Sequence, residues 1–192
     1  MKKIKTPAEI KKEKVRNQWI VGITMIALML FSVLGYSISS NNASGGGSSN
    51  TVSYNGFNFN KNGDYWQLNI GNAVFVFKYN PTEIGKININ DLKKIGNYSN
   101  SPIYVYSEDS DSKIELYRNL NQFALRMQDA CPKDKKCTNG EPKKDCTENF
   151  IIVEENLTES ITQEDNCVFI KAPEGNLTEA TDEFLFNILG VR

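Results

Sequence analysis

Residues Trp19 to Tyr36, WIVGITMIALMLFSVLGY, form an uninterrupted uncharged run of 18. At ~1.5 Å of rise per residue this is ~27 Å of helix, close to the ~30 Å hydrocarbon core of a bilayer. A charged residue at its centre would cost about 2.5 to 3.5 kcal/mol, and the run has none. A buried helix of a soluble domain is the alternative, but 18 residues with no polar face behind a basic flank favour a span. The chain is therefore expected to span a membrane here, and everything after the run inherits that address.

The preceding flank holds Lys2, Lys3, Lys5, Lys11, Lys12, Lys14 and Arg16 against Glu9 and Glu13. An excess of Lys and Arg keeps a flank in the cytoplasm. The residues after the run are net acidic, which sets them outside as a separate region. The competitor is a cleaved signal peptide, with Ser37 and Ser39 as the small residues of a cleavage site. An uncleaved signal anchor fits better, because the run exceeds the usual apolar region of ~7 to 15 residues and Tyr36 and Ile38 interrupt the small residues. The basic flank needs no nucleic acid to explain it, since topology alone demands it, and no nucleic-acid partner is expected. The stretch SISSNNASGGGSSN, Ser37 to Asn50, is too polar to order itself and reads as a tether. The expected organisation is a cytoplasmic flank (1–18), a transmembrane signal anchor in the bilayer (19–38), a linker (39–50) and an extracytoplasmic domain (51–192). The expected location is the cell membrane, single-pass, with the N-terminus cytoplasmic.

Cys131, Cys137, Cys146 and Cys167 all fall in the exported region, and an even count in an oxidising compartment reads as two disulfides. A zinc site would need all four at irregular spacing, with no CxxC pair and no histidine in the chain, so no metal or cofactor is expected. Three connectivities are open; the preferred one links Cys137 to Cys146 across a charged loop and Cys131 to Cys167 from a helix end to a strand start. Sequons at Asn42, Asn97, Asn156 and Asn176 are possible glycosylation sites, which would make the protein a glycoprotein.

Residues 51–192 suffice for one domain with a core. Tyr54, Phe57 and Phe59, then Trp66, Leu68 and Ile70, then Ala73 to Tyr79 alternate like strands around Asn62-Gly63 and Gly71-Asn72, predicting a three-stranded antiparallel aromatic meander. Its third strand is apolar on both faces and should be central or covered on both sides. The aromatics fit core packing better than a carbohydrate platform. A short helix is expected over Asp91 to Ile95. Ile103 to Tyr106, Phe150 to Val153 and Cys167 to Ile170 read as buried strands. A helix from about Lys113 to Ala130, opened by a Ser112–Glu115 capping box, would bury Ile114, Tyr117, Leu120, Ala124, Met127 and Cys131. A last helix would open with Asn176 and Glu179, bury Leu177, Ala180, Phe184 and Ile188, and stop at Gly190. Strand, helix and strand favour a parallel crossover from Ile103 to Val153. The fold class is α+β, or α/β, stabilised by disulfides. The acidic segment Glu108 to Ser112 offers oxygen ligands, but acids ahead of a helix suit its dipole without calcium.

The closing stretch NCVFIKAPEGNLTEATDEFLFNILGVR, with the basic flank, single span and later cysteines, resembles uncharacterised single-pass membrane-anchored proteins of small-genome archaea. The resemblance covers the last third and the overall architecture, and it implies no activity and no functional residues.

Without histidine the chain has no Ser-His-Asp, Cys-His or HExxH chemistry, and it has no GxSxG, Walker or GxGxxG motif. Carboxylate pairs remain: Glu154-Glu155 and Glu164-Asp165 would serve a hydrolase if they met in a cleft. The function expected is a membrane-anchored extracytoplasmic binding or interaction domain of the cell envelope, more a binder than an enzyme, with an envelope protein or glycan as partner. The alternatives are a carboxylate-dependent hydrolase or carbohydrate-active enzyme, and a solute-binding module. A concave, polar-lined pocket would separate the site-bearing functions from a plain interaction surface.

Overall fold

The computed structural model describes residues 19–20, 23–25, 51–85, 87–89, 91–137 and 140–192. The apolar run lies outside them except for Trp19, Ile20, Ile23, Thr24 and Met25, which are helical. Among the described residues no helix is long and apolar enough to cross a membrane. The linker and Asn42 lie outside them altogether. The later residues, Asn50–Arg192, form a unit of their own. That unit is a mixed α+β fold with two disulfides and a buried aromatic cluster.

The meander has four antiparallel strands, not three: β1 (Thr51–Tyr54), β2 (Phe57–Asn62), β3 (Tyr65–Ile70) and β4 (Ala73–Phe77), in that spatial order. The extra turn is Asn55-Gly56, whose φ angles of 47° and 84° are both positive, as a two-residue type I′ hairpin requires. Register aligns Phe59 with Leu68 and Leu68 with Phe75, so one face of the sheet is apolar and buried. Strand β4 is an edge strand, and Val74 is 49% exposed, so the doubly covered position expected for it is not taken up.

The second sheet has six strands in the order β5 (Asn88–Ile89), β11 (Ser160–Glu164), β12 (Cys167–Ala172), β10 (Phe150–Glu155), β6 (Pro102–Ser107) and β7 (Arg126–Asp129). The expected parallel crossover is present: β6 and β10 pair in parallel, Tyr104 opposite Phe150, and β10 pairs in parallel with β12. Strands β5, β7 and β11 are additions to the sequence expectation. Helix α1 runs Ser110–Leu120 and stops ten residues earlier than expected. Its continuation is drawn off by pairing: Leu125 N–H donates to Ser101 O at 3.0 Å, and Arg126–Asp129 joins the edge of β6 from Pro102 to Val105. Asp91 to Lys94 is not helical; a single 3₁₀ turn, Ile95–Asn97, follows it.

Helix α2 (Leu177–Leu189) ends at Gly190, whose φ of 77° permits the left-handed cap expected there. It packs on β10, β11 and β12, while α1 packs on β6 and β4. From the other side Phe186 meets Phe77 at 4.6 Å and Phe59 at 5.6 Å, and Phe123 stacks on Phe75 at 5.5 Å. The two helices are thus the middle layer between two sheets. The aromatics of the meander are core, as expected, not a surface platform.

The far face of the six-stranded sheet carries Tyr104, Tyr106, Phe150, Ile152 and Phe169, which form a smaller apolar cluster. The lysine-rich segment from Cys131 covers it, with β8 (Cys131–Pro132) paired to β9 (Lys143–Lys144). Lys144 Nζ lies 4.1 Å from the Tyr104 ring centroid and Lys135 Nζ 4.7 Å from that of Tyr106. The disulfides pin this cover, but not in the preferred pairing: Cys131 bonds Cys137 (Cα–Cα 6.0 Å) and Cys146 bonds Cys167 (4.8 Å). Cys131 lies in a strand, not at a helix end, and the turn in which Lys135 N–H donates to Pro132 O brings Cys137 back to it. Cys167 faces the covered side beside Cys146, whose carbonyl accepts from Asn166 N–H.

The exposed edge of β4 is closed by side chains of α1. Asn119 accepts from Val76 N–H and donates to Val76 O, both at 2.8 Å, imitating a neighbouring strand. Asn119→Leu, close in volume, removes both bonds and leaves the Val76 groups without them, and is expected to cost about 2 to 3 kcal/mol in urea unfolding with an unchanged m-value. Mass mapping of non-reduced proteolytic fragments is expected to return Cys131–Cys137 and Cys146–Cys167 peptides.

Candidate functional site: a two-sign pocket at the helix starts

Asp109, within the acidic segment, caps α1. Its Oδ2 accepts from Ser112 N–H at 2.7 Å and Ser112 Oγ at 2.6 Å, so the cap is Asp109 and not the Ser112–Glu115 box. The same oxygen accepts from Thr178 Oγ at 3.1 Å, tying the start of α1 to the start of α2. Burial opposes its charge, but these hydrogen bonds prevail and hold the Asp109 carboxyl below its ordinary value. The acidic segment is thus a helix start, and the described residues contain no cluster able to hold a metal ion.

Of the residues that hydrophobic spacing placed inward on α1, Leu120 is buried and Tyr117 packs half-buried against the core, but Ile114 is 51% exposed, and Ser112, Glu115, Leu116 and Asn119 are buried as well. Glu115 lies 3.3 Å from Arg118 Nη1 through Oε1. Burial raises its carboxyl to about 7, against the pull of Arg118 and Lys78. Across the helix pair, Asp182 of α2 is fully buried. One oxygen accepts from Tyr79 N–H at 2.8 Å, and Oδ1 has no hydrogen-bond partner. Burial, then the charge of Glu115, push the Asp182 carboxyl well above its ordinary value.

Above these groups lies a pocket of about 220 Å³, lined by Tyr65, Lys78, Asp109, Asp111, Glu115 and Arg118, with Gly175 and Thr178 from the start of α2. Arg118 Cζ is 4.5 Å and Lys78 Nζ 5.3 Å from the Tyr65 ring centroid, so one aromatic ring steadies both cations. The expected Asn176–Glu179 box at α2 is not made: Asn176 Nδ2 donates to Glu159 and Glu179 accepts from Gly85 N–H.

The carboxylate pairs singled out in the sequence do not meet. Glu154 lies opposite Lys171, and Glu164 lies opposite Cys167, about 13 Å away along the strands at ~3.3 Å per residue. Glu154 is instead 3.0 Å from Lys135. Asn97, Asn156 and Asn176 are all exposed. Of the pocket residues, the sequence singled out Asp109, Asp111 and Glu115 only as features of a helix start, and Tyr65, Lys78 and Arg118 went unread, because hydrophobic periodicity does not bring charged residues of separate segments together. Glu115 and Asn119, four apart, and Asp182 within an apolar helix were the available signal.

No protein-family model, curated protein or solved structure matches the chain.

Glu115 also gives a pH signature. Its folded value near 7 exceeds the ordinary 4.5, so between them the folded state keeps a proton that the unfolded chain has lost. Stability is expected to be greatest at the low end of that window and to fall as pH rises through it, with Asp182 adding in the same sense. Asp109 and Glu108, whose values are lowered, act below the window. Glu115→Gln should flatten the decline in a pH series of urea unfolding curves.

Proposed function

We propose that the chain is a single-pass, membrane-anchored extracytoplasmic binding domain of the cell envelope, and that the pocket at the helix starts is its binding site. Residues 19–38 hold it in the bilayer, 39–50 tether it, and 51–192 face outward. The uncharged run, the basic flank before it and the acidic remainder after it support the placement, and two disulfides suit an oxidising exterior. The observation that carries the binding function is the pocket itself: concave, polar, and lined by side chains of both signs. A hydrolase is the second reading, favoured by a Glu115 carboxyl raised to about 7 and an Asp109 carboxyl held below its ordinary value in one cavity. Asp109 is less free for chemistry than such a role asks, because one of its oxygens already accepts three hydrogen bonds. A solute-delivery module with a cleft between two lobes is disfavoured, since the pocket lies within one domain.

Protease added outside intact cells is expected to cut the tether and release the folded domain, whereas an inaccessible domain would overturn the placement. Native mass spectrometry of the chain extracted from its own membrane is expected to show a retained small polar molecule that Arg118→Ala loses. A chain that retains nothing, with pocket signals unmoved by a small-metabolite extract in NMR, would remove the binding role.

A further inference from the structure

We propose that the pocket takes a small zwitterion of the α-amino acid class, with its carboxylate against Lys78 and Arg118 and its ammonium against Asp109 and Asp111. The proposal rests on the pocket being the binding site, and it names the ligand.

The charges in the cavity do not satisfy one another. Among the described residues Lys78 and Asp111 form no ion pair within 4.0 Å, and Arg118 pairs only with Glu115. Burial keeps a proton on much of the Glu115 population near neutrality, so Arg118 is incompletely neutralised as well. Both cations lie over the Tyr65 ring, Arg118 Cζ at 4.5 Å and Lys78 Nζ at 5.3 Å from its centroid. Asp109 is fixed by Ser112 and Thr178 through one oxygen, Oδ2.

A simple anion placed here would meet Lys78 and Arg118 but also the two aspartates. A simple cation would meet the reverse conflict. Only a molecule carrying both charges a few bonds apart finds a partner for each, and like-charge approaches are what exclude the others. Charge-assisted hydrogen bonds to fixed partners are the stronger kind. The start of α2, which Asn176 caps with no side-chain hydrogen bond, adds its positive end beside Thr178. The volume suits a small ligand: about 220 Å³ is below the ~300 to 1,000 Å³ of drug-sized sites and matches a single amino acid. Ile114 and Leu177 supply an apolar wall for its side chain.

The test is isothermal titration calorimetry on the full chain in lipid nanodiscs, with a panel of the common free α-amino acids. Each one that binds is then offered as its amide, which lacks the carboxylate, and as its N-acetyl form, which lacks the ammonium. At least one free amino acid is expected to bind, with each blocked form weaker by about tenfold or more, the worth of one charge-assisted contact. Lys78 and Asp111 are both exposed, so Lys78→Gln and Asp111→Asn should fold and should each weaken the free amino acid by a similar factor. An N-acetyl form binding as well as its parent makes this an anion site, an amide doing so makes it a cation site, and either overturns the proposal. No binding by any amino acid also overturns it. If native mass spectrometry then still shows a retained molecule lost with Arg118→Ala, the pocket stands as a binding site and the ligand class alone is wrong.

Discussion

Helix α2 is buried around nearly its whole circumference, with Leu177, Ala180, Phe184, Leu185, Phe186 and Ile188 directed into one continuous core. A helix with one covered side needs an apolar stripe; a helix between two sheets needs apolar residues all round. Phe186 faces Phe59 and Phe77 of the meander, while the helix also packs on the central strands of the larger sheet. Both sheets bury their apolar faces against α2 and its neighbour α1. The three layers therefore depend on the two helices between the sheets.

Burial on all sides leaves the polar residues of α2 with few options, and their partners organise the surroundings. Asp182 takes the N–H of Tyr79 just beyond β4. Glu183 meets Arg192 Nη1 at 2.8 Å, and the same guanidinium donates to the carbonyls of Pro81 and Ile84, with its Cζ 5.5 Å from the Tyr54 ring centroid. The meander is therefore attached to the helices by hydrogen bonds as well as by aromatic packing. Asn119 and Gln122 of the α1 end extend this along β4, where Gln122 donates to Val74 O at 3.2 Å, and they occupy an edge that would otherwise invite another strand. The pocket opens where these attachments stop and two helix starts, tied by Asp109 and Thr178, meet Tyr65 and Lys78.

Local chemistry was legible in particular residues. Gly71-Asn72 marked a real hairpin turn and Asn62-Gly63 another, which falls one residue later on Gly63-Asp64, while Gly190 marked the end of α2, and Leu177, Ala180, Phe184 and Ile188 marked its inner side. What misled were features whose meaning depends on distant partners. Phe123 to Asp129 continues a helical pattern, yet Phe123 stacks on Phe75 and Arg126 to Asp129 gains a strand partner in β6. Apolar spacing turned α1 toward Ile114, whereas its inner face carries Glu115 and Asn119, whose polar atoms have partners only once β4 and Arg118 are in place. The disulfide partners followed the same rule, since pairing depends on where the cover folds back over the sheet.

The amino-acid sequence by itself determined the expected address and the chemical inventory: an uncharged run of 18 residues, a basic flank, four cysteines and no histidine. These are properties of composition and length, which need no partner. Tertiary structure alone decided that the helices lie between two sheets, which cysteines bond, and that Tyr65, Lys78, Asp109, Asp111, Glu115 and Arg118 share one cavity. These six come from β3, the end of β4 and α1, segments separated in the chain, and charge and proton affinity there are set by burial and neighbours that exist only in the folded molecule.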